Sequence, residues 1–218
     1  MLYNLEAVKA NIRNRDGKRV FFLGKGDQLT TEARDHLNRE RIEIRPGEQA
    51  RITQYRLLGG GILTEKPEDM THLYGDVLVH KTHPRIAFRG AMDTLEAALL
   101  MCGDSVREIL ELARRLIRCE VMDEPVGEFT LYDLTEAEQR KRSHFPQDYY
   151  GQPHFMPDFT DSAQLLQLNW ARCCARSAEL AAAAAFPDGQ RTDIQKTLNR
   201  MSSMLYILMI QERTNAQS

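Results

Sequence analysis

From Leu165 to Phe186 the chain reads LLQLNWARCCARSAELAAAAAF, and this stretch limits the possible folds more than any other. Thr160, Asp161 and Ser162, all good N-cap residues, precede it, and Pro187-Asp188-Gly189 stops it. Nothing inside breaks a helix, and the alanine run from Ala181 to Ala185 has the highest helix propensity available. Arg172, Arg176 and Glu179 recur at i, i+4 and i+7, so one helix face carries all three. Leu165, Leu168, Ala175 and Ala178 fall on other faces. Two readings of the polar face stand side by side. It is either a solvated Arg-Glu face worth a few tenths of a kcal/mol or a ligand site.

Residues on either side extend the helical pattern. Arg85 to Met101 reads as a helix ended by Gly103, and Ser105-Val-Arg-Glu108 as a capping box opening the next. In that next helix Val106, Ile109, Leu110, Ala113, Leu116 and Ile117 form an apolar stripe, and Pro125 follows its end. Thr135-Glu-Ala-Glu138 is a second capping box, before a short helix. Ser143 to Phe159, with three prolines, reads as a structured loop. A last helix from about Asp193 to Gln211 turns Ile194, Leu198, Met201, Leu205 and Leu208 inward, and Asn199, Ser203 and Tyr206 make a polar stripe. No strand signal is read in this region. The expected fold is therefore an all-α main domain, a five-helix antiparallel bundle.

The N-terminal part reads differently. Val20–Leu23 and Ile42–Arg45 have strand character, and a short amphipathic helix from Leu29 to Arg41 lies between them. Residues 1–58 are expected to form a small α/β segment, bounded by Gly59-Gly60-Gly61. Residues 62–218 would be the bundle, with an ordered, non-helical arm at 65–84.

A formal charge of −2 gives no basic field for nucleic acid or a membrane surface. No apolar run approaches a bilayer span and MLYNLEAVKANIRNRDGK lacks a signal-peptide core, so a cytoplasmic protein is expected. Cys102, Cys119, Cys173 and Cys174 form no CxxC and have no histidine at finger spacing, which fits small buried residues in a reducing compartment. His80, His83, His144 and His154 match no standard metal spacing and read as solvated or hydrogen-bonded loop residues.

KTHPRIAFRGAMDTLEAALL, ARCCARSAE and LNRMSSMLYILMI, in this order, resemble the ATP:cob(I)alamin adenosyltransferases. KPEDMTHLYGDVLVHKTHPR, the MDEP turn and LTTEARDHLNRERIEI resemble the ethanolamine-utilisation branch of that family. The resemblance implies transfer of the 5′-deoxyadenosyl group of ATP to reduced cobalamin, with Mg²⁺ carried on the triphosphate. It also implies a homo-oligomer, a trimer by preference, with sites between subunits. A corrinoid reductase or an adenosylcobalamin-dependent lyase is the implied partner, and association with a metabolic microcompartment an implied location.

Residue by residue, Arg176 becomes the closest phosphate contact and Lys81 the second. Glu179 would orient Arg176 or accept from the ribose, and Asn199 would meet adenine or ribose. Asp93 and Arg172 would pair across a subunit boundary. Phe155 is either the apolar group that displaces the lower axial cobalt ligand or an ordinary loop anchor.

The chain departs from the pattern in three places. The family's common glycine-rich phosphate loop is replaced by KPEDMTHLYGD, and Ser203 stands where the family has Asp. Some members of the branch carry a His/Cys metal cluster just before the KP dipeptide. Here RITQYRLLGGGILTEKP has no cysteine, so no structural Zn or Fe is expected. A non-catalytic ATP- or cobalamin-binding protein and a helical interaction module are the competing functions.

Overall fold

Short strands and two helices form the first of two compact units in the computed structural model, which describes residues 2–15, 18–24, 26–47 and 54–217. This unit, 1–67, runs β1 (Leu2–Tyr3), α1 (Leu5–Ala10), β2 (Arg13–Arg15), β3 (Lys18–Gly24), β4 (Gln28–Leu29), α2 (Thr31–Arg39), β5 (Glu43–Gly47), β6 (Tyr55–Leu57) and β7 (Ile62–Leu63). β3 pairs antiparallel with β2 and parallel with β5, and α2 is part of the connection that a parallel pair requires. The Thr30 hydroxyl starts α2 by accepting from the Ala33 amide, and Ala33 and Leu37 bury its apolar face with Phe21 and Ile42. Gly60 and Gly61, at φ 95° and 105°, form the turn between β6 and β7. Residues 51–53, the start of the segment compared above with the branch's metal cluster, lie outside the described residues.

The second unit, 68–218, contains β8 (Met70–Tyr74), β9 (Val77–His80), α3 (Pro84–Met101), α4 (Arg107–Met122), β10 (Thr130–Leu131), β11 (Leu134–Thr135), α5 (Glu136–His144), α6 (Pro146–Tyr150), α7 (Ala163–Ala185) and α8 (Thr192–Gln217). It is mostly helical, but the expectation of no strands is corrected. β8 and β9 form an antiparallel hairpin and β10 pairs with β11. The hairpin signal was there to read: Val77-Leu78-Val79 follows Gly75, which turns at φ 52°. Just under half of the 65–84 arm is thus strand.

α3, α4, α7 and α8 share one hydrophobic core, with Phe88, Leu95, Ile109, Leu116, Leu165, Ala175, Leu198 and Leu205 fully or almost fully buried. Each large side chain withdrawn this way contributes about 1.5–3 kcal/mol. Small residues let α7 approach its neighbours closely, since Ala171, Ala175, Ala178 and Ala182 are all buried. Ser162 is the cap that α7 uses, its hydroxyl accepting from the Leu165 amide at 3.1 Å. α8 continues past the expected end at Gln211 to Gln217.

One capping box forms and one does not. Thr135 and Glu138 exchange both bonds at the start of α5. Ser105 instead lies in a 3₁₀ turn, Gly103–Val106, and its hydroxyl donates to the Cys102 carbonyl. Glu108, freed from that box, accepts from the Tyr132 amide at 2.6 Å. The segment expected to be loop between Ser143 and Phe159 contains α6.

Candidate functional site

Residues of four segments line an open cavity of about 700 Å³ in the second unit. α7 contributes Arg172 and Arg176, and α8 contributes Asn199, Arg200, Ser203 and Tyr206. α5 adds Arg140 and His144, and the segment before α7 adds His154, Phe155 and Met156. Four predicted site residues therefore meet: Arg172, Arg176, Asn199 and Phe155. Glu179 joins them through Asn199, whose amide donates to its carboxylate oxygens at 3.1 and 3.3 Å. Glu179 is thus engaged by Asn199 rather than by Arg176.

The arginines are the site's main electrostatic feature. Among the described residues Arg172 donates only to the neutral Asn169 amide oxygen, at 3.0 and 3.3 Å. Arg200 donates through Nη2 to Asn199 Oδ1. Among the described residues Arg140, Arg172, Arg176 and Arg200 make no ion pair with a carboxylate. Arg200 is 8% exposed, and its Nη1 has no hydrogen-bond acceptor. Leaving a buried donor in that state costs about 1–3 kcal/mol, more when it is charged. Burial, with the Arg140 guanidinium nearby, lowers the pKa of Arg200. Such a wall attracts a multiply charged anion.

Another part of the lining is aromatic and tightly bonded. His154 Nε2 lies 3.1 Å from the His144 carbonyl, so that nitrogen carries the proton. Its Nδ1 then accepts from the Tyr206 hydroxyl at 3.1 Å, and the two rings stack at 5.7 Å. The same hydroxyl accepts from the Phe155 amide at 3.3 Å. Phe155 is further held by the Arg213 guanidinium, 4.2 Å over its ring. It is therefore both anchored and part of the cavity lining.

Two predicted residues lie elsewhere. Asp93 is exposed on α3, beside Glu96 and Arg114, and does not meet Arg172 within the chain. Lys81 is exposed in the turn after β9 and is not part of the cavity wall. The loop histidines take ordinary hydrogen-bonding roles: His80 contacts Asp69 at 3.1 Å, and His83 caps α3 by accepting from the Arg85 amide. Burial and the Arg85 and Arg89 charges hold the His83 pKa below its usual value. Cys102 is buried beside Cys174, which pushes its thiol up to about 11. Among the described residues no three His, Cys, Asp or Glu side chains gather as a metal site.

Arg140 and Arg200 were missed by the sequence reading. Arg200 directly follows Asn199, about 100° round the helix, so a face-by-face reading separates them. Arg140 lies in the charged run EAEQRKRSH, which has almost no apolar periodicity to orient it.

The family model described as cobalamin adenosyltransferase matches residues 62–212, which include all the residues of the cavity. The chain belongs to the cobalamin adenosyltransferase family. Curated relatives within reach are the corrinoid adenosyltransferase EutT of Salmonella typhimurium strain LT2, 31% identical over 160 residues, and EutT of Escherichia coli strain K12, 29% identical. Each alignment covers 68% of this chain and 60% of the relative, so the chain spans about 60% of the length of these proteins. No solved structure matches the chain.

Proposed function

We propose that this chain transfers the 5′-deoxyadenosyl group of ATP to reduced cobalamin. The observation that carries the reading is the cavity wall of four arginines with no carboxylate partner among the described residues of their own chain, in a member of this family. In the reaction the Co(I) lone pair attacks C5′ of ATP, forming the Co–C bond. The C5′–O5′ bond breaks, and its electron pair leaves on the triphosphate. Cobalt carries the hard chemistry. The protein holds C5′ over the metal and stabilises the leaving anion.

Arg176 and Arg172 suit the second task because a guanidinium fork makes bidentate, charge-assisted bonds to phosphate. Mg²⁺ enters on the triphosphate as part of that substrate. Asn199, fixed between Glu179 and Arg200, faces the nucleoside, and Glu179 accepts from ribose hydroxyls. Phe155 presents the apolar surface under cobalt. Lys81 adds a phosphate contact and Asp93 pairs with Arg172, both from the neighbouring copy in a homo-oligomer of five-helix bundles, a trimer by preference. The expected setting is the cytoplasm, in the ethanolamine-utilisation pathway named in the resemblance.

One assay tests the core of this. Purified protein, ATP, Mg²⁺ and chemically reduced cobalamin should give the absorbance spectrum of adenosylcobalamin. Binding of both substrates without product would favour a delivery protein instead. Asp93→Asn tests the shared site: it should weaken ATP binding and loosen the oligomer together in sedimentation, whereas a fully active wild-type monomer would refute the interface.

A further inference from the structure

A second groove of about 810 Å³ lies along α5 and α8, and Arg140, His144 and Arg200 line both it and the cavity. The two spaces therefore meet at a pair of guanidinium groups. Lys196, in the groove, is matched by Glu136 at 2.7 Å, and the Lys141 ammonium lies 5.8 Å over the Tyr149 ring. Arg140 and Arg200 have no such match among the described residues. Beyond them Phe145, 57% exposed, offers an aromatic face. The groove thus places an anion-binding border next to an apolar shelf.

Resting on the adenosyltransferase reading above, we propose that this groove receives the phosphodiester-bearing lower tail of the corrinoid. Once the lower base leaves cobalt, the tail is a flat heterocycle joined through ribose to one phosphodiester. Its anion would take Arg140 and Arg200, supplying the acceptor that Arg200 Nη1 lacks, and its base would lie on Phe145. The two anionic groups of the substrate pair are then divided. The triphosphate goes to Arg172 and Arg176, and the phosphodiester to the border. Tail recognition makes the protein selective for complete corrinoids.

Cobalamin and cobinamide, which lacks the whole tail, provide the test. Kd is measured for the Co(II) form of each, with ATP and Mg²⁺ present. Cobalamin should bind about tenfold more tightly, the worth of one charge-assisted contact. Phe145→Ala should weaken cobalamin towards the cobinamide value and leave cobinamide unchanged, and Arg140→Gln should weaken cobalamin more than cobinamide. Phe145 is exposed, so that variant keeps the test alive if Arg140→Gln fails to fold. Equal wild-type affinities for the two corrinoids would overturn the tail site while leaving the enzyme reading intact. So would variants that weaken ATP to the same extent with either corrinoid, because the border would then hold triphosphate. If neither corrinoid binds, the adenosyltransferase reading itself fails, and the tail site with it.

Discussion

Arg85 and Arg89 on α3 both reach one carboxylate, Glu120, whereas Arg172 and Arg176 on α7 reach none among the described residues of the chain. Glu120 is fully buried, and the two guanidinium groups hold its oxygens at 2.7 and 2.8 Å. Arg85 also lies 5.4 Å over the Phe186 ring and donates to the Glu120 carbonyl. Both carboxylate oxygens there accept from a guanidinium group of α3. On the α7 and α8 wall the same residue type is left with neutral partners or none. The difference separates charge that closes a structure from charge held open for a ligand. A count of arginines does not separate the two; the position of the carboxylates does.

The largest expected effect breaks the closed side. Glu120→Ala leaves two partly buried cations without a counter-charge, so unfolding free energy should fall by about 3–5 kcal/mol. Denaturant titration checks this, and a loss under about 1 kcal/mol would show that water already compensates the pair.

On the open side the pattern should invert. Arg176→Ala should change stability by less than about 0.5 kcal/mol, since the position is exposed and alanine is the better helix former. Its kcat/KM for ATP should drop by about 3 kcal/mol, roughly a hundredfold, because the guanidinium acts most strongly on the leaving charge. Arg176→Lys should recover only part, because one ammonium cannot reproduce the fork. Circular dichroism and steady-state kinetics on the same preparations decide it. Wild-type turnover in folded Arg176→Ala would return α7 to an ordinary solvated face.

How much of this could be read beforehand follows from what kind of signal each part leaves. α7 was legible because propensity, an N-cap and a Pro-Gly stop agree over a long stretch. The polar residues at Arg172, Arg176 and Asn199 were legible because helical spacing aligns them, and the family resemblance then gave them roles. The β8–β9 hairpin is hard to read because a strand as short as Val77–His80 shows only its β-branched run and too few residues to establish a period. The failed box at Ser105 shows a tertiary demand overriding a local rule. Glu108 serves the Tyr132 amide, which is distant in sequence. Arg140 and Arg200 reach the cavity from two helices, and no linear spacing encodes that meeting. Their unneutralised state depends on where carboxylates are absent in space.

The smallest expected effect concerns the aromatic wall, where a single hydroxyl joins three groups. Tyr206 donates to His154 and accepts from the Phe155 amide, while Phe155 itself faces the cavity. Tyr206→Phe keeps the ring and its stack on His154, so packing should be retained. It removes one hydrogen-bonding group, which leaves the Phe155 amide and His154 Nδ1 without their partner. Stability should fall by about 1 kcal/mol, within the range for one such group. The functional effect should be confined to the corrinoid side. If Phe155 needs that amide bond to hold its ring in place, KM for cobalamin should rise about threefold, with KM for ATP unchanged, because the arginine wall is untouched. Equal shifts in both constants would mean that the two walls move together, and the division between an anion wall and an apolar wall would no longer describe the site.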